Sequence, residues 1–437
     1  MKTGGSRNPL TQKSVESVPT AKLYVSPHRS PGGNAATEEL RRLFDSVRAA
    51  RPALRFCPEK DPFPDDGRIR AIRFPGLPEC GRETSVFAYI GFPENASADS
   101  PVPGMVLVHG GAGHAYAEWV RYWNDHGFAA ISFDGFGQSY VGPDRTYDAS
   151  MDFWKQDPAS QPPMDGFASA GKPFAEQGFT YYVADVLLAN TILRADPRVI
   201  KEKIGLTGIS WGGVASGTAI CYDDRFAFAA PVYCCGFLDA SHTVWGAGFA
   251  GEGITDVWDA GLLLDTVKMP VRFFNSDGDP FTDVNATTAC AANAPDGSLT
   301  LLHGFTHGQI EGSAIPELLR FAQEQAGFGQ RNIRIDGLNA AENGARVRFS
   351  LPADVKRADV CVYYKTEDLI YDGKYLRELW SCARTTAEGE EAFVRIPPEA
   401  KLFYFSVEGR TDGDPDVMLR ATTGVYTRET WDAAEMG

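Results

Sequence analysis

The chain has 437 residues, of which 43% are hydrophobic and 23% charged, a composition that supports packed cores and excludes wholesale disorder. Forty-two basic residues against 57 acidic ones leave a net charge of −15, which repels phosphate backbones and acidic lipid surfaces, so nucleic-acid and membrane partners are set aside. No apolar run has the length of a membrane span, the first twenty residues hold no leader-like apolar stretch, and the eight cysteines form no C-x-x-C pair, so free thiols in a cytoplasmic protein without metal or cofactor are expected.

Residues 1 to about 35 are polar and rich in Pro, Gly and Ser, and read as an arm. A short helix over 37–50 and extended segments at Ile69–Phe74 and Val86–Phe92 follow; residues 1–79 are expected to pack on, or trail from, the core. The apolar run Met105–Val108 stops at HGGAGH. The helical stretch after it puts Ala115, Trp119, Val120 and Trp123 on one face and closes at Gly127. Phe128–Phe133 is a second run, ending at DGFGQS. Residues 140–178 show no period, and a helical pattern resumes over Phe179–Arg194. Further short runs lie at Ile204–Thr207, Ala227–Tyr233, Val271–Phe274 and Leu299–Leu302. Apolar runs alternating with helical patterns predict a parallel sheet covered by helices on both faces, with its chemistry at the carboxyl ends of the strands. Residues 80–327 are assigned to this domain. Beyond it the period changes to two: Val347, Phe349 and Leu351, then Val360, Val362 and Tyr364, then Phe403, Phe405 and Val407. Residues 328–437 therefore predict an antiparallel, Ig-like β-sandwich, with GFGQRN (327–332) as the boundary.

The strongest chemical signal is Gly208-Ile209-Ser210-Trp211-Gly212, placed directly after an apolar run and opening a helix of small residues. A serine at a tight strand-to-helix turn is lifted above the sheet, and only small neighbours allow the close approach. Such a nucleophile needs a base and an orienting acid, in the chain order Ser, Asp, His. NSDGDPFTD offers Asp277, Asp279 and Asp283; HGFTHGQ offers His303 and His307. Asp279 stands on the loop crest, Asp277 is read as capping its own turn, and Asp283 as the cap of the next helix. His303 still belongs to a strand end, whereas His307 lies in a Gly-flanked loop that can bend over Ser210. The glycine-rich loop after His109 suits an oxyanion hole, with backbone donors from Gly111 and Trp211. His109 reads as a brace of that loop, His126 as a helix-end residue and Asp134 as the organiser of its own turn. Two inserted stretches, 140–178 and 234–262, are expected to cover the site, and they bring Trp154, Cys234, Trp245 and Trp258 forward as pocket residues.

Taken together, HGGAG, FDGFGQS, GLTGISWGG, the NSDGD turn and the FTHG loop resemble the α/β-hydrolase superfamily over about residues 80–327. Within it, DPRVIKEKIGLTGISWGG is similar to the acetyl xylan esterase and cephalosporin C deacetylase group and to prolyl-oligopeptidase-like hydrolases. The resemblance implies an eight-stranded, mostly parallel sheet and a metal-free mechanism with Ser210 as nucleophile, Asp279 as acid, His307 as base, and Gly111 and Trp211 as oxyanion donors. The HGG loop reads more like the peptidase branch, and those deacetylases have no appended sandwich. The expected activity is cleavage of a small-molecule carboxylic ester bearing a short acyl or acetyl group. The alternatives are a serine peptidase and a non-catalytic binding protein on the same fold. Exposed β-edges make self-association through the C-terminal domain a further expectation.

Overall fold

A computed structural model describes residues 35–63, 65–233, 235–241, 243–249, 251, 253–367 and 380–436. Of the arm expected over residues 1 to about 35, residues 1–34 lie outside the described residues, as does Cys234. The chain divides into two compact units, one ending at Gly329 and the other starting at Gln330.

In the first unit, helix α1 (Ala35–Ala49) buries Thr37, Leu40, Phe44 and Val47 on one face. Strands β1 (Arg55–Phe56), β2 (Ile69–Pro75), β3 (Ser85–Gly91) and β4 (Val102–Val108) follow. Every residue of β4 is buried, as a central strand covered on both faces requires. Helix α2 (Ala117–Asp125) leads to β5 (Ala129–Phe133), and β6 (Gln138–Tyr140) and β7 (Trp154–Gln156) form a separate ribbon. Helix α3 (Gly178–Ala195) precedes β8 (Val199–Ile209), α4 (Trp211–Tyr222) and β9 (Phe228–Val232). Then come α5 (Val244–Phe249), β10 (Val271–Ser276), α6 (Val284–Asn293), β11 (Gly297–Leu302), α7 (Gln309–Ser313) and α8 (Pro316–Ala326).

The sheet runs β1-β2-β3-β5-β4-β8-β9-β10-β11. From β5 to β11 the pairs are parallel, and β1 to β3 add on antiparallel. Of its nine strands β1 has only two residues, so the expected eight-stranded sheet is present with a small extra edge piece. The chain passes from β4 through α2 to β5, then back over β4 through α3 to β8. Right-handed crossovers in opposite directions put α2 on one face and α3 with α4 on the other. Helix α3 is buried nearly all round because it lies under α1 and α4 as well as on the sheet. Among the described residues no helix is long and apolar enough to cross a membrane.

The second unit has a sheet of β12 (Arg334–Ala341), β13 (Gly344–Ser350) and β16 (Glu391–Arg395). Its partner sheet holds β14 (Ala358–Lys365), β15 (Ser381–Thr386), β17 (Leu402–Arg410), β18 (Met418–Thr422) and β19 (Tyr426–Thr427). Val347, Phe349, Val360, Val362, Phe403, Phe405 and Val407 meet in one core, as the alternation predicts. Two features depart from that pattern. The last helix, α9 (Arg428–Met436), inserts Trp431 into the core. Strand β17 is buried on both faces, because Tyr404 stacks on Tyr363 and the Tyr363 hydroxyl donates to Glu408 on the outer side.

Candidate active site

At the carboxyl end of β8 the backbone turns sharply into α4. Ser210 occupies the turn with φ 56° and ψ −117°, a region that non-glycine residues rarely adopt. Its N–H donates to Val232 O at 3.0 Å, which ties the turn to β9. The flanking glycines are required by space: a Cβ on Gly208 falls 2.1 Å from Gly212 O, and one on Gly212 falls 2.2 Å from Val108 O. These backbone contacts bring the start of α4, with its unspent N–H groups, close to β4 and its loop.

The glycine-rich loop lies against this turn. A Cβ on Gly110 falls 3.3 Å from Ser210 Cβ, and one on Gly111 falls 2.8 Å from Trp211 Cδ1. His109 braces the loop in a single tautomer: Gly135 N–H donates to Nε2 at 3.0 Å, so Nδ1 carries the proton and donates to Gly110 O at 2.8 Å. Complete burial pushes its pKa down to about 3. The Tyr182 hydroxyl donates to the His109 carbonyl. Asp134 orders its own turn by accepting from Phe136 N and Gln138 N, and burial pushes its pKa up to about 7.

Beyond β10, Asp279 is buried and accepts from Phe281 N at 2.9 Å and Thr282 N at 2.8 Å through Oδ1. Its Oδ2 receives the His307 Nδ1 proton at 2.5 Å. The His307 ring stacks on Tyr233 at 4.2 Å and meets the edge of Phe281 at 4.6 Å. Tyr233 follows β9 with a left-handed φ of 69°, and its hydroxyl donates to Thr306 O at 2.7 Å, which fixes the loop carrying His307. Two residues past His307, Gln309 Oε1 accepts from Gly110 N at 3.3 Å and links the base loop to the glycine loop beside Ser210. Among the described residues neither Ser210 Oγ nor His307 Nε2 has a hydrogen-bond partner.

A second histidine–aspartate pair lies on the same two loops. His303 Nδ1 donates to Asp277 Oδ2 at 2.7 Å, and Gly304 N donates to Asp277 Oδ1 at 3.1 Å. Asp277 was expected to cap its own turn; it reaches across to the end of β11 instead, because β10 and β11 pair in parallel and end side by side. Asp283 caps α6 as expected, accepting from Asn285 N and Ala286 N.

Trp245 packs on Trp211 at 5.0 Å and on Phe281 at 5.3 Å, beside the turn. Trp154 is buried and stacks on His114 at 4.2 Å, and Trp258 is buried with its indole N–H on Gln177 Oε1. Both serve interior packing. Tyr233, Gln309 and Phe281 escaped the sequence reading. Tyr233 ends an apolar run and Phe281 sits two residues past Asp279, but nothing in the pattern marks their contacts with His307. Among the described residues no group of three His, Cys, Asp or Glu side chains is placed to hold a metal ion.

The sheet order, the strained serine between strand and helix, and loops gathered at the carboxyl ends define an α/β-hydrolase fold. The chain is similar in structure to an acetyl xylan esterase from Paenibacillus sp. R4, with a TM-score of 0.52 and 17% identity over 68% of this chain and 96% of that one. It is also similar to acetyl xylan esterase 1 from Thermoanaerobacterium sp. JW/SL YS485, with a TM-score of 0.50 and 15% identity over 69% and 95% of the two chains. No family model and no curated protein matches the sequence.

Proposed function

We propose that the protein is a serine hydrolase that cleaves a carboxylic ester of a small molecule carrying a short acyl group. The observation that carries this reading is the Asp279–His307 pair, whose unspent Nε2 belongs to a loop tied through Gln309 to the strained Ser210 turn. Ser210 Oγ attacks the ester carbonyl while His307 Nε2 takes its proton. Gly111 N and Trp211 N donate to the oxyanion, and Asp279 stabilises the imidazolium and holds it in one orientation. The proton then passes to the departing alcohol. Water, deprotonated by the same nitrogen, releases the acid and restores the serine. The acetyl xylan esterases that share the fold support the choice of an acetyl-sized acyl group. The test is hydrolysis of p-nitrophenyl acetate by Ser210→Ala, with fluorophosphonate labelling of the wild type alongside. Loss of turnover with Ser210 as the labelled residue supports the reading. A mutant that keeps more than a few per cent of the rate overturns it. Faster turnover of aminoacyl anilides than of esters by the wild type would make the protein a peptidase.

A further inference from the structure

The aromatic rings around the Ser210 turn fall into two groups that differ in exposure. Phe167, Phe179 and, beneath Phe179, Trp258 are buried. Phe281, Trp245, Trp211 and Phe249 are each partly exposed and form a continuous band. It starts at His307, passes to Phe281 at 4.6 Å, to Trp245 at 5.3 Å and to Trp211 at 5.0 Å, with Phe249 touching both tryptophans. The band therefore connects the proton-carrying side of the site with the oxyanion side, where Trp211 lies against Gly111.

The two ends face different halves of an ester. When the acyl C–O bond breaks, the alcohol oxygen takes the proton from His307 Nε2, so the alcohol leaves on the side of the base. Phe281 meets the His307 ring, and Trp245 packs on Phe281, so these two rings follow the base along the band. Both residues are partly exposed, and aromatic rings pair with another flat ring by offset stacking or edge contact. A sugar ring would also need acceptors and donors for its hydroxyls. Among the described residues, the rings of the band supply only indole N–H groups. The nearby hydroxyls of Ser241 and Thr243 are engaged with each other at 3.0 Å, and Thr243 also donates to Phe281 O. Resting on the serine-hydrolase reading above, we propose that Trp245 and Phe281 form a leaving-group subsite for an aryl alcohol, so that the preferred substrates are short-acyl aryl esters.

The experiment compares 2-naphthyl acetate, ethyl acetate and an acetylated methyl xyloside with the wild type and Trp245→Ala. The subsite predicts that the wild type favours the naphthyl ester over the xyloside. It also predicts that Trp245→Ala lowers the naphthyl-to-ethyl ratio of kcat/KM about tenfold. An unchanged ratio assigns Trp245 to packing and overturns the proposal. A wild-type preference for the xyloside overturns it too. Calorimetric binding of 2-naphthol to Ser210→Ala provides an arm that needs no turnover. Binding weakened severalfold by adding Trp245→Ala supports the subsite even if Ser210 proves not to be the nucleophile. Failure of 2-naphthol to bind, while the wild type still hydrolyses acetates, removes the subsite and leaves the hydrolase reading intact.

Discussion

Replacing Asp279 by Asn separates orientation from packing. The Asp279 carboxylate has three partners: Phe281 N–H and Thr282 N–H on Oδ1, and His307 Nδ1 on Oδ2. Asparagine keeps an oxygen for the two backbone donors, so the loop retains its anchors. Its amide then turns an N–H towards His307 Nδ1, where the carboxylate accepted. Two donors cannot face each other, so the imidazole moves its proton to Nε2 and loses the lone pair that receives the serine proton in the proposed mechanism. A wrong tautomer of this kind lowers kcat by about four orders of magnitude in a serine protease of the same logic, equivalent to about 5.5 kcal/mol of barrier. The expected outcome here is a loss of kcat between about 10³- and 10⁴-fold on p-nitrophenyl acetate, with KM nearly constant and a urea midpoint within about 1 kcal/mol of wild type. Asp277→Asn is the paired control, because the Asp277–His303 bond sits on the same loops. It should leave kcat within a few-fold. If Asp279→Asn keeps a tenth of the wild-type rate, or if Asp277→Asn is the variant that loses activity, the assignment of the base to His307 is wrong.

Other perturbations test the scaffold. A methyl group on Gly212 would stand 2.2 Å from Val108 O and 2.4 Å from His109 O, both backbone atoms, so Gly212→Ala should cost about 3 kcal/mol or more by urea unfolding; a wild-type midpoint would refute the close approach. The imidazole of His109 is held neutral, with its pKa lowered to about 3, so the unfolded chain takes up a proton below about pH 6.5 that the folded chain refuses. Stability from this group is therefore lost as pH falls from about 6.5 towards 3, by about 1.4 kcal/mol per unit. Asp134, raised to about 7, acts in the opposite sense, so the comparison to make is wild type against His109→Gln, whose stability should fall less on acidification; parallel curves would contradict a buried neutral imidazole. In the second unit, Trp431→Ala removes a fully buried ring from the core and should cost about 3–5 kcal/mol in thermal or urea unfolding of that unit; a loss under about 1 kcal/mol would place the indole outside the core.

Strand positions were legible because the central strands are buried on both faces and appear as short apolar runs. The serine turn was legible because steric demand leaves a glycine signature on both sides of Ser210. Asp279 and His307 stand out through chain order and position beyond a strand, and the structure joins them at 2.5 Å. What periodicity does not carry is lateral contact. Asp277 meets His303 because parallel β10 and β11 end together, a relation between residues 26 apart in sequence. Trp154 and Trp258 share the aromatic character of Trp245, and residue type alone does not separate a ring facing an opening from one sealed beneath it. The helix α9 was hidden because its nine residues follow a run of strands and only Trp431 marks an apolar face.

The elements that place Ser210, Asp279 and His307 are strand ends and the loops that follow them, held by bonds such as Ser210 N to Val232 O and the Tyr233 hydroxyl to Thr306 O. Trp245 and Phe249 come from α5, a short helix in the long connection between β9 and β10, and pack their rings on Trp211. On the proposed readings, rate and selectivity have separate addresses in the chain. If the proposed subsite holds, an exchange of α5 alone, with Tyr233, Ser241 and Thr243 kept, would retune which alcohols are accepted while the bonds that fix the His307 and Asp279 loops stay in place. On the same readings, drift at the strand ends would extinguish turnover for every substrate at once.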